Sequence, residues 1–378
     1  MEMANLLRTE SEKITTRMLD LHGLFEHNTT FDYSDYEYKE DCIKLRSFVS
    51  IFVIILYSVA LVLGLTGHVL VLVVLWQKRR SWSVTDAFVL HLSIVDILLL
   101  LTIPLWAVDA NKGWSFGTGW CKVTGALFKI NFYCGIFLLT CISLDLYFCI
   151  VHAVQMRSCT MPWLVQLICL AVWFFSLLLS IPDWMYLKAP SDPEQEETRI
   201  KCMYEYPCPE SHLGSHLLYN VVGFLLPIFV LFYCYACILL KCRSNQGVQK
   251  HGAVRVILAL VLAFIISWTP YNIALFVDTF SSSSKSPEHC KVQMWTAVKS
   301  TAVLGFLHSC INPLIYFGFS RKFRRWMLTV MKCGSCAVDS NDFFPWDSKE
   351  IDNATPATEE EKGSLQPMTE IGPTIKEE

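Results

Sequence analysis

The residues best suited to chemistry in this sequence are polar side chains set inside long apolar runs. Asp96 sits midway along one run, and Asn131 and Asn312 sit within two others. A carboxylate in hydrocarbon is costly and marks a functional position by default. The two asparagines are the candidates to face it, and together the three could hold a sodium ion or a water cluster. A second set lies near the ends of the runs: Asp109, Lys129, Asp183, Asp278 and Lys299. With Trp106, Phe128, Trp268 and Tyr271 they could line an outward-facing cavity. The third set is acidic. Segment 26–41 holds six carboxylates and one lysine, and Tyr33, Tyr36 and Tyr38 each follow an acid: Asp32, Asp35 and Glu37. Sulfation of those tyrosines would add further charge, and such a surface attracts a basic partner and speeds its encounter. No His/Glu or Ser/His set inside the runs has catalytic spacing, so an enzyme is disfavoured and no cofactor is expected.

The elements that must position these groups are membrane spans. Of 378 residues, 53% are hydrophobic and 17% charged, against about 25% charged in soluble domains. Seven windows reach the ~20 apolar residues that a spanning helix needs: 49–76, 87–108, 123–150, 161–182, 217–240, 256–277 and 292–319. Lys78, Arg79 and Arg80, then Arg157, then Lys241, Arg243, Lys250 and Arg255, then Arg321, Lys322, Arg324 and Arg325 all fall on one side. The positive-inside bias makes that side cytoplasmic and puts the N-terminus outside. The first forty residues lack an apolar h-region, so no cleavable signal peptide is expected. No stretch resembles a nucleic-acid patch, and no inverted repeat supports a transporter. The expected fold is an all-α seven-transmembrane bundle in the plasma membrane. It divides into an extracellular acidic tail (1–47), the bundle (48–319), an amphipathic helix on the inner leaflet (320–331) and a cytoplasmic regulatory tail (332–378).

Prolines 104, 182, 227, 270 and 313 should kink their helices. Sixteen cysteines are present, most inside spans or on the reducing side, where they act as small apolar residues. Cys42, Cys121, Cys202, Cys208 and Cys290 face outward. Two rim bridges are expected, Cys121–Cys202 and Cys42–Cys290, with Cys208 spare and Cys121–Cys208 the rival pairing. Asn28 opens an Asn-Thr-Thr glycosylation sequon on the outer side, and Cys333 and Cys336 are candidates for palmitoylation beside the lipid.

With these residues laid out, 48–331 resembles the rhodopsin-like receptor family. Asp96 matches its second-helix aspartate. Ser267-Trp268-Thr269-Pro270 is similar to the CWxP switch, and Asn312-Pro313-Leu314-Ile315-Tyr316 matches NPxxY; Trp173, Pro227 and Tyr235 fall at expected places. Thr102-Ile103-Pro104 with Trp106, Trp114-Ser115-Phe116-Gly117 before Cys121, and Ile181-Pro182-Asp183 resemble the chemokine receptors. The outer cysteine quartet is theirs too. Segments 125–133 and 299–308 resemble the CXC group, which implies basic CXC chemokines as ligands, with Tyr33, Asp35, Tyr36, Tyr38 and the cavity residues as contacts. It also implies receptor kinases and arrestins at the Ser/Thr-rich acidic tail, and cycling through endosomes.

Three departures bear on signalling. The family's DRY triplet reads Asp145-Leu146-Tyr147 here, His68 replaces the first-helix asparagine, and Gly135 replaces a frequent sodium-site serine. The resemblance gives the missing arginine two roles: pairing with Asp145 at rest and meeting the G-protein tail when active. Leucine has no donor for either. The expectation is a chemokine-binding scavenger in which coupling to the inhibitory G protein is weak or absent. The alternative is a conventional receptor driving calcium signalling and chemotaxis in immune-cell migration.

Overall fold

Lipid offers no partners to backbone N–H and C=O groups, so an apolar run must satisfy its own backbone by coiling into a helix. A computed structural model describes the backbone over 33–77, 83–152, 162–189, 200–244, 251–281 and 288–319. Within these stretches the side chains at 33–48, 162, 244, 251–253, 281, 288–293 and 295 are not described. Seven helices among the described residues are long and apolar enough to cross a membrane. They are α1 (Val49–Gln77), α2 (Val84–Lys112), α3 (Gly117–Val151), α4 (Trp163–Tyr186), α5 (Pro209–Arg243), α6 (Val254–Phe280) and α7 (Thr296–Phe319). The chain is a seven-transmembrane bundle. The amphipathic helix, the C-terminal tail, Asn28, Cys333 and Cys336 lie outside the described residues. So do the side chains of Tyr33, Asp35, Tyr36, Tyr38, Cys42 and Cys290.

The five prolines fall in three settings. At Pro104 and Pro182 the helix is rebuilt: α2 breaks between Leu100 and Ile103, and α4 between Leu179 and Ile181. Pro270 and Pro313 stay inside continuous helices. Before Pro227 the backbone widens into a π-helix over Leu218–Leu225. The wider turn makes room where the proline ring would strike the carbonyl four residues back. That residue is Gly223, whose added Cβ would lie 2.5 Å from the Tyr133 ring. α5 also starts two turns before its apolar window, at Pro209 behind an extended Cys208. Its opening residues are too polar to register as a span, yet Pro at the first helical position suits a helix start.

α3 is the central post, packing against α2, α4, α5 and α6, while α7 closes the ring against α6 and α1. Half of the α3 window is buried but only 17% of the α1 window. The outward rows, such as Phe229 and Phe232 on α5, are fully apolar and exposed, as lipid-facing surface must be. At the outer end, Leu187–Lys188 and Met203–Tyr204 pair as an antiparallel hairpin, β1 and β2. The Cys121–Cys202 bridge ties that hairpin to the top of α3, and Cys208 is a free exposed thiol. The bridge packs with Trp114, Leu187 and Ala189 in a separate small core. Trp114 Nε1 donates to Gly117 O (2.9 Å), fixing the first outer loop.

Candidate functional site

Two charged centres sit at the outer end. Lys129 of α3 is buried. Its Nζ donates to Tyr271 Oη of α6 (3.1 Å) and stands 3.5 Å above the centre of the Tyr219 ring on α5. A buried ammonium is thus held by a hydroxyl and a π face instead of water. Asp183, buried at the end of α4, accepts a hydrogen bond from Tyr204 Oη of β2. Burial, reinforced by the charge of Asp183, raises the Tyr204 phenol well above its ordinary range. It therefore stays protonated and can only donate to that carboxylate. Lys129 and Asp183 line one cavity with Tyr133, Tyr206, His216 and Tyr219. The second centre is between α2 and α7, where Lys299 Nζ meets Asp109 Oδ2 (3.2 Å) and lies 4.5 Å over the Trp106 ring. Asp109 thus has a partner inside the bundle.

A row of rings joins the two centres. Trp106 packs on Phe306 (6.0 Å between centroids), Phe306 on Phe128 (5.1 Å), and Phe128 on both Trp268 (5.1 Å) and Tyr271 (5.4 Å). Trp268 lies below, fully buried. Gly305 gives it room: a Cβ there would come within 2.9 Å of the indole and 3.2 Å of Phe128. The cavity residues named from sequence therefore converge, with Asp278 the exception. It sits at the α5–α6 rim, 3.4 Å from His212 Nε2. Tyr204 and Tyr219, which hold Asp183 and Lys129, had no periodic or motif signal in the sequence.

Deeper in the bundle, Asp96 gathers donors from three helices. Asn131 Nδ2 (2.8 Å) and Ser309 Oγ (3.0 Å) reach Oδ1, and Asn312 Nδ2 (2.8 Å) reaches Oδ2. His68 Nε2 lies 2.8 Å from the Ser309 carbonyl and 3.3 Å from Asp96 Oδ2. Both neighbours are acceptors, so that nitrogen carries the proton and donates to them. His68 of α1 therefore supplies a further donor at Asp96. The donors around Asp96 form a buried hydrogen-bonded network, in which Asn131 Oδ1 and Asn312 Oδ1 are left as buried oxygens with no hydrogen-bond partner. Nearby, Trp173 Nε1 donates to His91 Nδ1 (3.1 Å), tying α4 to α2.

At the inner end, Tyr235 Oη lies 3.3 Å from Ser143 Oγ. Ser143 spends its own proton on Leu139 O (2.7 Å), so Tyr235 donates. Leu146 is 8% exposed and belongs to the main apolar core with Ile142, Ile150, Ile238 and Ile257. Tyr147 meets His152 Nε2 (3.1 Å) and packs on Tyr233 (5.9 Å between rings). Asp145, beside Leu146, is half-buried. Tyr316 and Trp268 are among the largest fully buried side chains.

Seven spans, a bridged outer rim, a buried polar network around Asp96 and proline-interrupted helices define the bundle. The family description "7 transmembrane receptor (rhodopsin family)" matches residues 67–316. The chain is 40% identical over 331 residues to the C-X-C chemokine receptor type 3 of Bos taurus, covering 85% of this chain and 89% of that one. It is 40% identical over 314 residues to the human type 3 receptor, with 80% and 84% covered. The type 2 receptor of Bos taurus is 37% identical over 302 residues, with 79% and 82% covered. The chain belongs to the rhodopsin family of seven-transmembrane receptors, in its C-X-C chemokine-receptor branch.

Proposed function

We propose that this receptor binds basic C-X-C chemokines at the cell surface and mainly removes them, with weak coupling to the inhibitory G protein. The acidic, tyrosine-rich tail makes the first contact. The ligand's end then enters between the Lys129–Asp183 and Asp109–Lys299 centres, where buried charges and the Trp106–Phe128–Tyr271 ring row offer polar and apolar contacts together. The observation that carries the weak-coupling reading is Leu146. A side chain buried in the inner core presents methyl groups where the family offers a guanidinium, so an inserted G-protein tail finds no donor there. The C-terminal tail, rich in Ser, Thr and carboxylates, supplies the uptake signal: phosphates there give an arrestin's basic surface a dense negative target. Signalling through the G protein is the second reading, favoured by the intact Ser143–Tyr235 contact and the packed Phe128–Trp268 pair.

Labelled-chemokine uptake and G-protein activation measured on the same cells decide between them. The expected result is saturable binding and uptake with little activation. Robust inhibitory G-protein activation by the unmodified chain at ordinary surface density overturns the scavenging reading and leaves the conventional one. Truncation after Cys336 should cut uptake while leaving binding intact; unchanged uptake removes the tail from the mechanism.

A further inference from the structure

The two extra turns at the start of α5 carry an arrangement at the edge of the ligand cavity that the proposed binding does not explain. His212 and His216 are four residues apart on the helix, so they share one face. Across the gap, α6 presents Asp278. The nearest ligand-capable atoms of the three residues all lie within 4.8 Å of one another. The imidazoles lie with 4.1 Å between ring centres and their planes tilted by 51°, and Tyr206 packs edge-on against both. We propose that His212, His216 and Asp278 form a binding site for a borderline divalent metal ion of the zinc type, which clamps the outer ends of α5 and α6.

Three observations point to a metal. The first is the donor set: two imidazoles at i, i+4 and a carboxylate are ligands zinc accepts, and a helical histidine pair at this spacing is a recurrent zinc half-site. The second is distance. Tetrahedral ligands at metal–ligand lengths of about 2.0–2.1 Å stand roughly 3.3 Å apart. His212 Nε2 and Asp278 Oδ2 already stand at 3.4 Å. The third is the tautomer of His216. Its Nδ1 lies 2.8 Å from Thr279 Oγ1, whose own proton is committed to Leu275 O at 2.7 Å. The threonine can therefore only accept, so Nδ1 carries the proton and Nε2 carries the lone pair. A second hydrogen bond that fixes the ring and its tautomer is what metal-ligating histidines generally have.

Three protein ligands leave a fourth position for water or another donor. Exposed Cys208 lies one further turn out in the same four-residue spacing, outside the trio as placed. His216 also lines the cavity that holds Lys129 and Asp183. A bound ion would thus stiffen the α5–α6 wall of the ligand cavity.

The test uses the purified full-length receptor in lipid nanodiscs, titrated with zinc chloride against a fluorescent zinc chelator. His212 and Asp278 are partly exposed, so H212N and D278N leave the packed core intact; size-exclusion profile and surface expression check this. Wild type should bind one more zinc ion than either variant, or bind it at least roughly 10-fold more tightly, and Thr279→Val should weaken binding by releasing the His216 tautomer. Zinc held elsewhere in the chain is common to all variants and drops out of the comparison. Equal stoichiometry and affinity in wild type, H212N and D278N overturns the proposal and leaves the histidines as a packed ring cluster.

Discussion

Replacing Leu146 by arginine perturbs the inner end of α3, within the Asp145-Leu146-Tyr147 triplet. Leu146 is 8% exposed, so its side chain supplies most of the roughly 1.5–3 kcal/mol available from burying a leucine. Arginine keeps part of that through its apolar stem, with the guanidinium extended towards the cytoplasmic water. What it adds is a fork of donors to an inserted G-protein tail. Hydrogen bonds to a charged group contribute on the order of 1.5–3 kcal/mol each, which corresponds to roughly 10- to 150-fold in coupling for one such bond. Leu146→Arg should therefore raise chemokine-stimulated inhibitory G-protein activation by about that factor at matched surface density, with chemokine affinity unchanged because the ligand binds at the other end. Recovery should be partial, since Gly135 remains. Leu146→Ala is the control: it opens the same space without a donor and should lose stability without gaining signal. Equal gains from Leu146→Ala and Leu146→Arg would refute the hydrogen-bond argument in favour of packing. No gain from Leu146→Arg would show that the triplet is not what limits coupling.

Three further outcomes are expected. Tyr33, Tyr36 and Tyr38 changed together to Phe should weaken chemokine binding and flatten its salt dependence, because exposed charges act over about a Debye length; an unchanged salt slope in a radioligand assay dismisses the tail. Cys202→Ser opens a bridge across 81 residues, which chain entropy values at about 4–5 kcal/mol, so surface expression should collapse, whereas Cys208→Ser should express normally; the reverse pattern in flow cytometry rejects the assigned pairing. Lys129→Met leaves Asp183 in its cavity without the neighbouring cation and should reduce chemokine efficacy in uptake more than initial tail-mediated binding; equal losses of both would mean only that the fold is damaged.

The spans were legible because lipid imposes one solution on a run of about 20 apolar residues. Lys/Arg asymmetry gave the orientation, and the Asp96, Trp268 and Asn312-Pro313 anchors gave the family before any packing was seen. The asparagine partners of Asp96 were legible for the same reason, since a buried carboxylate must have donors and the membrane contains few. The start of α5 was not, because Pro209–Leu217 is polar and periodicity there says nothing about a span. The sequence supplied the polar residues around Asp96 but not which of their atoms face one another. Ser309 and His68 join Asp96 from α7 and α1 only through helix packing.

Sequence alone thus determined where the chain crosses the membrane and which family it follows, since spans are set by local composition against a uniform solvent and the family by short motifs. Tertiary structure alone decided that Lys129 rests on Tyr219, that Tyr204 holds Asp183, that Leu146 is buried, and that Asp278 meets two histidines 66 and 62 residues earlier. Those are contacts between helices, and their energies depend on rotation, tilt and kinks. Small errors in helix rotation, invisible in a hydropathy pattern, turn a side chain from a partner helix to lipid.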